Sequence, residues 1–173
     1  MTEEASSLDE VLALRRGGES GSVVDVDEPH VKLVIFRLGE AWFAFPGDKI
    51  REVLADSPVF FLPGCPPALE GVINVRGEIL SVLHLRSVMG RLSLADTVTT
   101  RILVGHGRTM RSGIRVDRVE DVVDLPESLI EAPPHTISDT LAALVVGIVL
   151  FRGQHVHVLD LERLFEDYRS GLR

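Results

Sequence analysis

From residue 31 onward the apolar positions gather in short stretches, and glycine or proline separates one stretch from the next. Residues 31–38, with Leu33 and Ile35 among them, read as a mostly buried strand, and Gly39-Glu40 as the tight turn of a hairpin. Residues 41–46 and 50–54 follow as strands. A proline-rich loop over 58–67 precedes strands at 69–76 and 78–84, divided at Gly77, and a helical turn at 85–89 closed by Gly90. The order then returns, with strands at 101–104, 114–117, 119–125, 145–151 and 155–159 and a second loop within 126–140 that holds Pro133-Pro134. Residues 160–168 read as a helix, because Leu161, Leu164, Phe165 and Tyr168 share one face and Asp160 suits an N-cap. Many short strands of regular spacing predict an all-β barrel or sandwich. The expected architecture is two five-stranded barrels side by side, with a short helix at the end of each repeat.

The word repeat is literal. Residues 71–85 (GVINVRGEILSVLHL) recur as 147–161 (GIVLFRGQHVHVLDL) at a constant offset of 76. Upstream, 48–54 (DKIREVL) parallels 117–123 (DRVEDVV) at an offset of 69. Two copies are too few for a solenoid. Half-units of about 70 residues are each marginal alone, so they are expected to fold as one body. The expected division is a first lobe at about 31–90 and a second at about 99–168, within a body of 31–170. A site between similar lobes is then the first place to look for function.

Charge separates the body from what precedes it. The net charge is −8, yet residues 1–30 hold eight acids and two bases, and the remainder holds 18 acids and 16 bases. Residues 1–30 therefore read as an acidic, mostly disordered tail. Within it, residues 7–16 carry helix punctuation, with Ser7 and Glu10 placed for a capping box and Leu8, Val11 and Leu12 on one face. The stretch is too short to hold alone in water. It reads either as a fraying helix or as a peptide that folds on a partner or on its own core.

The near-neutral body, with one Trp and one Tyr, lacks the basic footprint and stacking platforms that nucleic acid needs. A single cysteine, Cys65, excludes an intrachain disulfide and a multi-cysteine metal site. The longest apolar run, 141–151, is too short to span a bilayer, and the N-terminus has no apolar signal region, so a cytoplasmic protein without membrane insertion is expected.

Candidate chemistry is sparse. No phosphate-binding glycine loop and no nucleophile elbow is present. His155 and His157 fall on the same side of a strand, which fits either a polar strand face or two metal ligands lacking a recognisable third. Cys65 has no base nearby in sequence. Arg76-Gly77 and Arg152-Gly153 each close an apolar strand. Each arginine could simply begin a turn with its stem on apolar surface and its head in water. Alternatively, Arg76 pairs with Glu52 of the upstream motif and the two orient each other for a protein partner.

At these residues the chain resembles the CheW family, the scaffolds that couple bacterial chemoreceptors to the histidine kinase CheA. The resemblance rests on 35–46 with 50–54, on Leu62-Pro63 and Pro66 with 69–80, and on 113–123 with 158–164. Its most specific part is Asn74-Val75-Arg76-Gly77 after Gly71-Val72-Ile73. It runs from residue 31 to about 168 and leaves 1–30 outside. The resemblance implies a pair of SH3-like barrels without catalytic activity or cofactor. It implies a chemosensory adaptor that receives a chemoreceptor's cytoplasmic tip in an apolar groove between the lobes. It further implies barrel-to-barrel contact with the regulatory domain of a CheA-type kinase, contacts with other CheW-like domains in an array, and recruitment to receptor arrays at the inner membrane. Arg76 and Glu52 match the family's arginine–glutamate pair, and Ile50 an apolar receptor-contact position. With Asn74 they make the expected partner-binding set. Ser81 and His84 depart from the family's usual proline and aspartate. His84 is the weaker cap, so the first short helix is expected to fray more than the last. These departures also fit a divergent scaffold of a pilus-motility or other non-flagellar kinase pathway.

Overall fold

The computed structural model describes residues 27–55, 57–89 and 100–171. The expected helix at 7–16 lies outside them. Ten strands carry the body: β1 (His30–Leu38), β2 (Ala41–Pro46), β3 (Ile50–Leu54), β4 (Leu69–Val75), β5 (Glu78–His84), β6 (Arg101–His106), β7 (Arg111–Val116), β8 (Arg118–Pro126), β9 (Val145–Phe151) and β10 (Gln154–Leu159). Helices α1 (Leu85–Val88), α2 (Asp139–Ala142) and α3 (Leu161–Ser170) complete it, α2 beginning at the end of the predicted loop of 126–140.

Two five-stranded sheets result, ordered β8-β1-β2-β10-β9 and β3-β6-β7-β5-β4. Matching the first five strands to the second five superposes one order on the other. The sheets nevertheless do not follow the repeats. Strands β1 and β2 of the first repeat join β8, β9 and β10 of the second, while β6 and β7 join β3, β4 and β5. This corrects the expected division into lobes at 31–90 and 99–168. The chain changes sheets after β2 through a 3-10 turn at Gly47–Lys49, and after β7 through Asp117 alone. At each crossing the chain leaves one sheet for the other, so the two repeats exchange their leading hairpins.

Each sheet is drawn toward closure by a bridge to its β4 or β9 edge, Phe60 to Val72 in one and Glu131 to Ile148 in the other. The repeat's opening glycines make room for it. A Cβ on Gly71 would lie 2.3 Å from the Phe60 carbonyl oxygen, and one on Gly147 would lie 2.3 Å from Ile130 Cγ2. Both glycines are therefore required by close approach of the crossing segment.

Three apolar clusters form. Leu33, Ile35, Ala44, Val149, Val156 and Val158 fill one lobe. Ile73, Leu80, Val82, Ile102 and Val104 fill the other. The largest lies between the lobes, where Phe36, Phe43 and Phe45 meet Leu83, Leu103 and Ile114, with Leu161, Leu164, Phe165 and Tyr168 of α3 packed in. The space between the sheets is thus occupied by core.

The two departures from the family pattern have visible consequences. Ser81 Oγ lies 2.9 Å from Oγ of the fully buried Ser112, tying β5 to its parallel neighbour β7. His84 makes no side-chain cap to α1, whereas Asp160 accepts the Arg163 N–H at 3.2 Å. Helix α1 has four residues and α3 ten.

Candidate functional site

Arg76 stands on a turn that the backbone would not choose for it. Arg76 and Gly77 both have positive φ, 51° and 90°, as a two-residue hairpin between right-twisted strands requires. Asn or Gly is the usual first residue of such a turn, and an arginine there costs about 1–2 kcal/mol. Asn74 offsets part of this, because its Oδ1 accepts the Gly77 N–H at 2.9 Å. Asn74 thus shapes the turn, and its cross-strand neighbour Ile79 is left 64% exposed.

Glu52 reaches Arg76 because β3 contains a bulge. Ile50 pairs with Gly105 and Glu52 with Val104, so Arg51 is the extra residue. The bulge divides the strand's inward side. Ile50, half-buried, packs on the inter-lobe cluster, and Leu54 packs into the first barrel's interior. Glu52 stands between them, and its Oε2 accepts from Arg76 Nη2 at 2.8 Å. The Glu52 side chain is largely covered, while that of Arg76 is 84% exposed. A pair so open contributes at most about 1 kcal/mol to stability. Its effect is geometric: a fixed carboxylate aims a guanidinium whose remaining donors face outward.

Around the pair is a cavity of about 530 Å³ lined by Arg51, Glu52, Val75, Arg76, Glu78, Val104, His106 and Arg111. Arg111 Nη1 meets Glu78 Oε2 at 2.8 Å, so both carboxylates of the cavity are held by an arginine. Of the four expected site residues, the fold brings Glu52 and Arg76 into contact and Asn74 beneath their turn. Ile50 is at the same strand but turned toward the inter-lobe core.

Sequence reasoning missed a second pair. Arg152 Nη2 meets Asp121 Oδ2 at 2.8 Å, and Arg152 also has positive φ, 48°. Arg76 and Arg152 are the only non-glycine residues with positive φ among the described residues. The signal was present: an offset of 69 carries Glu52 to Asp121, and one of 76 carries Arg76 to Arg152. The Arg111–Glu78 pair had no such signal.

Val156 and Val158 face the lobe interior, and His157 Nδ1 lies 3.3 Å from the Trp42 carbonyl. Among the described residues no group of three or more His, Cys, Asp or Glu could hold a metal ion. No described helix is long and apolar enough to cross a membrane.

Outside the cavity, one titratable contact ties an element to the body. Glu162 of α3 accepts the Arg108 backbone N–H at 2.9 Å and the Lys49 ammonium at 3.4 Å. The Arg108 hydrogen bond, more than the lysine, holds its carboxyl below the usual glutamate range.

The model of the CheW-like domain matches residues 32–169. The chain is 27% identical over 151 residues to a probable chemotaxis protein CheW of Rhizobium etli, covering 87% of this chain and 97% of that one. It is 27% identical over 144 residues to protein FrzA of Myxococcus xanthus, covering 82% and 89%. Among solved structures, the scaffolding protein TtCheW of Thermoanaerobacter tengcongensis superposes with a TM-score of 0.71 at 29% identity, over 80% of this chain and 94% of that one.

Proposed function

This chain belongs to the CheW-like domain family, and we propose that it is a non-enzymatic adaptor joining a chemoreceptor's cytoplasmic tip to a CheA-type histidine kinase. The observation that carries the reading is the Arg76–Glu52 pair: a largely exposed guanidinium, set on a strained turn and aimed by a fixed carboxylate. Stability does not account for an arginine there, and strain of this kind collects at functional positions. Arg76 and Glu52 set the register of the partner, Asn74 holds the turn that presents Arg76, and Ile50 adds apolar contact at the start of β3. The two carboxylates of the cavity are each engaged by arginine, which supports recognition over acid–base catalysis.

In this reading the receptor's tip lies in an apolar groove between the lobes, above the core that joins them. Kinase contact and contact with other CheW-like domains then build the array, where each engagement raises the effective concentration for the next. The protein works in the cytoplasm and reaches the inner membrane through its receptor.

The test is Arg76→Glu in a reconstituted receptor–kinase assay. The variant keeps its circular dichroism and loses receptor-stimulated kinase activity. Normal ternary complex with normal kinase output refutes the assignment. A second reading, a scaffold in a non-flagellar kinase pathway such as pilus motility, draws on the likeness to FrzA and on Ser81 and His84. Co-purification of the native protein with its kinase decides between them.

A further inference from the structure

The cavity beside Arg76 carries more positive charge than its own carboxylates use. Three arginines converge on it from three places: Arg51 from the β3 bulge, Arg76 from the β4–β5 turn and Arg111 from β7. Glu52 and Glu78 satisfy Arg76 and Arg111. Arg51, exposed at the bulge, has no carboxylate within ion-pair distance among the described residues. The site is therefore a concave surface with net positive charge on a body whose overall charge is negative, and it fits a short acidic peptide.

The chain itself supplies one. Glu3, Glu4, Asp9 and Glu10 fall within the first ten residues, and no base occurs before Arg15. This stretch lies outside the matched family region. It also reaches: the span from Glu10 to Asp27 extends up to about 55 Å, against a radius of gyration of about 16 Å for a compact chain of this length. Tethering sets the effective concentration in the millimolar range, so even millimolar intrinsic affinity suffices for substantial occupancy.

We propose that the acidic segment of residues 1–14 docks in the Arg51–Arg76–Arg111 cavity and competes there with the partner. The docking follows from charge, concavity and tether length. Only the competition rests on the adaptor role proposed above.

A spin label on the full chain tests the docking with no partner present. Cys65→Ser clears the native thiol, and Ala5→Cys carries the label. The expected result is selective loss of amide signal at Arg51, His106 and Arg111 at low salt. That loss is relieved by high salt, by neutralising the acids (E3Q, E4Q, D9N, E10Q) and by Arg51→Glu. Broadening centred elsewhere overturns the proposal, as does broadening that ignores salt and the acids, or none at all. Such a result leaves the adaptor role standing, because no receptor or kinase enters the measurement. Conversely, a failed kinase assay with Arg76→Glu leaves the docking untouched.

Discussion

The guanidinium of Arg86 closes on the carboxylate of Asp117, and both side chains are nearly excluded from solvent, at 10% and 12% exposure. Asp117 is the one residue between β7 and β8, where the chain changes sheets. Its other contacts belong to the opposite sheet's hairpin: Oδ2 accepts the Gly39 N–H at 2.5 Å, and its own N–H donates to the Arg37 carbonyl at 3.1 Å. One carboxylate thus fastens α1, the β1–β2 turn and the crossing together.

Asp117→Ala leaves Arg86 charged and covered, and loss of one partner of a covered pair costs about 3–5 kcal/mol. At about 2–4 °C per kcal/mol for a chain of this size, the melting temperature falls by roughly 6–20 °C. Calorimetry checks it. A double variant, Arg86→Met with Asp117→Leu, recovers part of that loss, because the covered guanidinium is removed together with its carboxylate. Equal loss in both would mean that the Gly39 contact to the Asp117 carboxylate, and not the ion pair, dominates.

Arg76→Gly separates folding from function. Glycine adopts positive φ without the Cβ penalty, so the variant gains up to about 1 kcal/mol less the small contribution of the Glu52 pair. Thermal melting is expected to hold or rise while receptor-stimulated kinase activity falls. A drop in melting temperature equal to that of a core substitution would show Arg76 to be structural.

Glu162 links pH to the seating of α3. Its carboxyl titrates lower in the folded chain than in the unfolded one, chiefly through the Arg108 N–H. Its stabilising effect is therefore complete above the unfolded-state glutamate value and is lost as pH falls through the lower folded value. Glu162→Gln removes that part of the acid dependence. The melting temperatures of variant and parent converge in acid and separate at neutral pH, by a few degrees if the contact is worth about 1 kcal/mol. A constant gap across pH would rule the ionised form out as the cause.

Most strand positions were legible because a strand's two faces write an alternation into the residues themselves. The helix at 161–170 was legible for a related reason: Leu161, Leu164, Phe165 and Tyr168 stripe one side, and Asp160 is placed to cap it. Asp160 was legible as a cap and His84 as a position without one. Arg76 with Glu52 could be paired in advance because each stood in a repeated motif, and the same offsets held the unread pair Arg152–Asp121.

What the chain determined alone is local: which residues face inward, where turns fall, where caps sit, and that the unit occurs twice. Alternation records that a strand has a buried face but not which strand lies beside it. The exchange of hairpins between repeats was decided only in three dimensions, by the brief crossings at 47–49 and at Asp117. So were the bulge that turns Ile50 from Leu54's side and the meeting of Arg51, Arg76 and Arg111 around one cavity. These depend on contacts between residues far apart in the chain, and such contacts leave no period in the sequence that builds them.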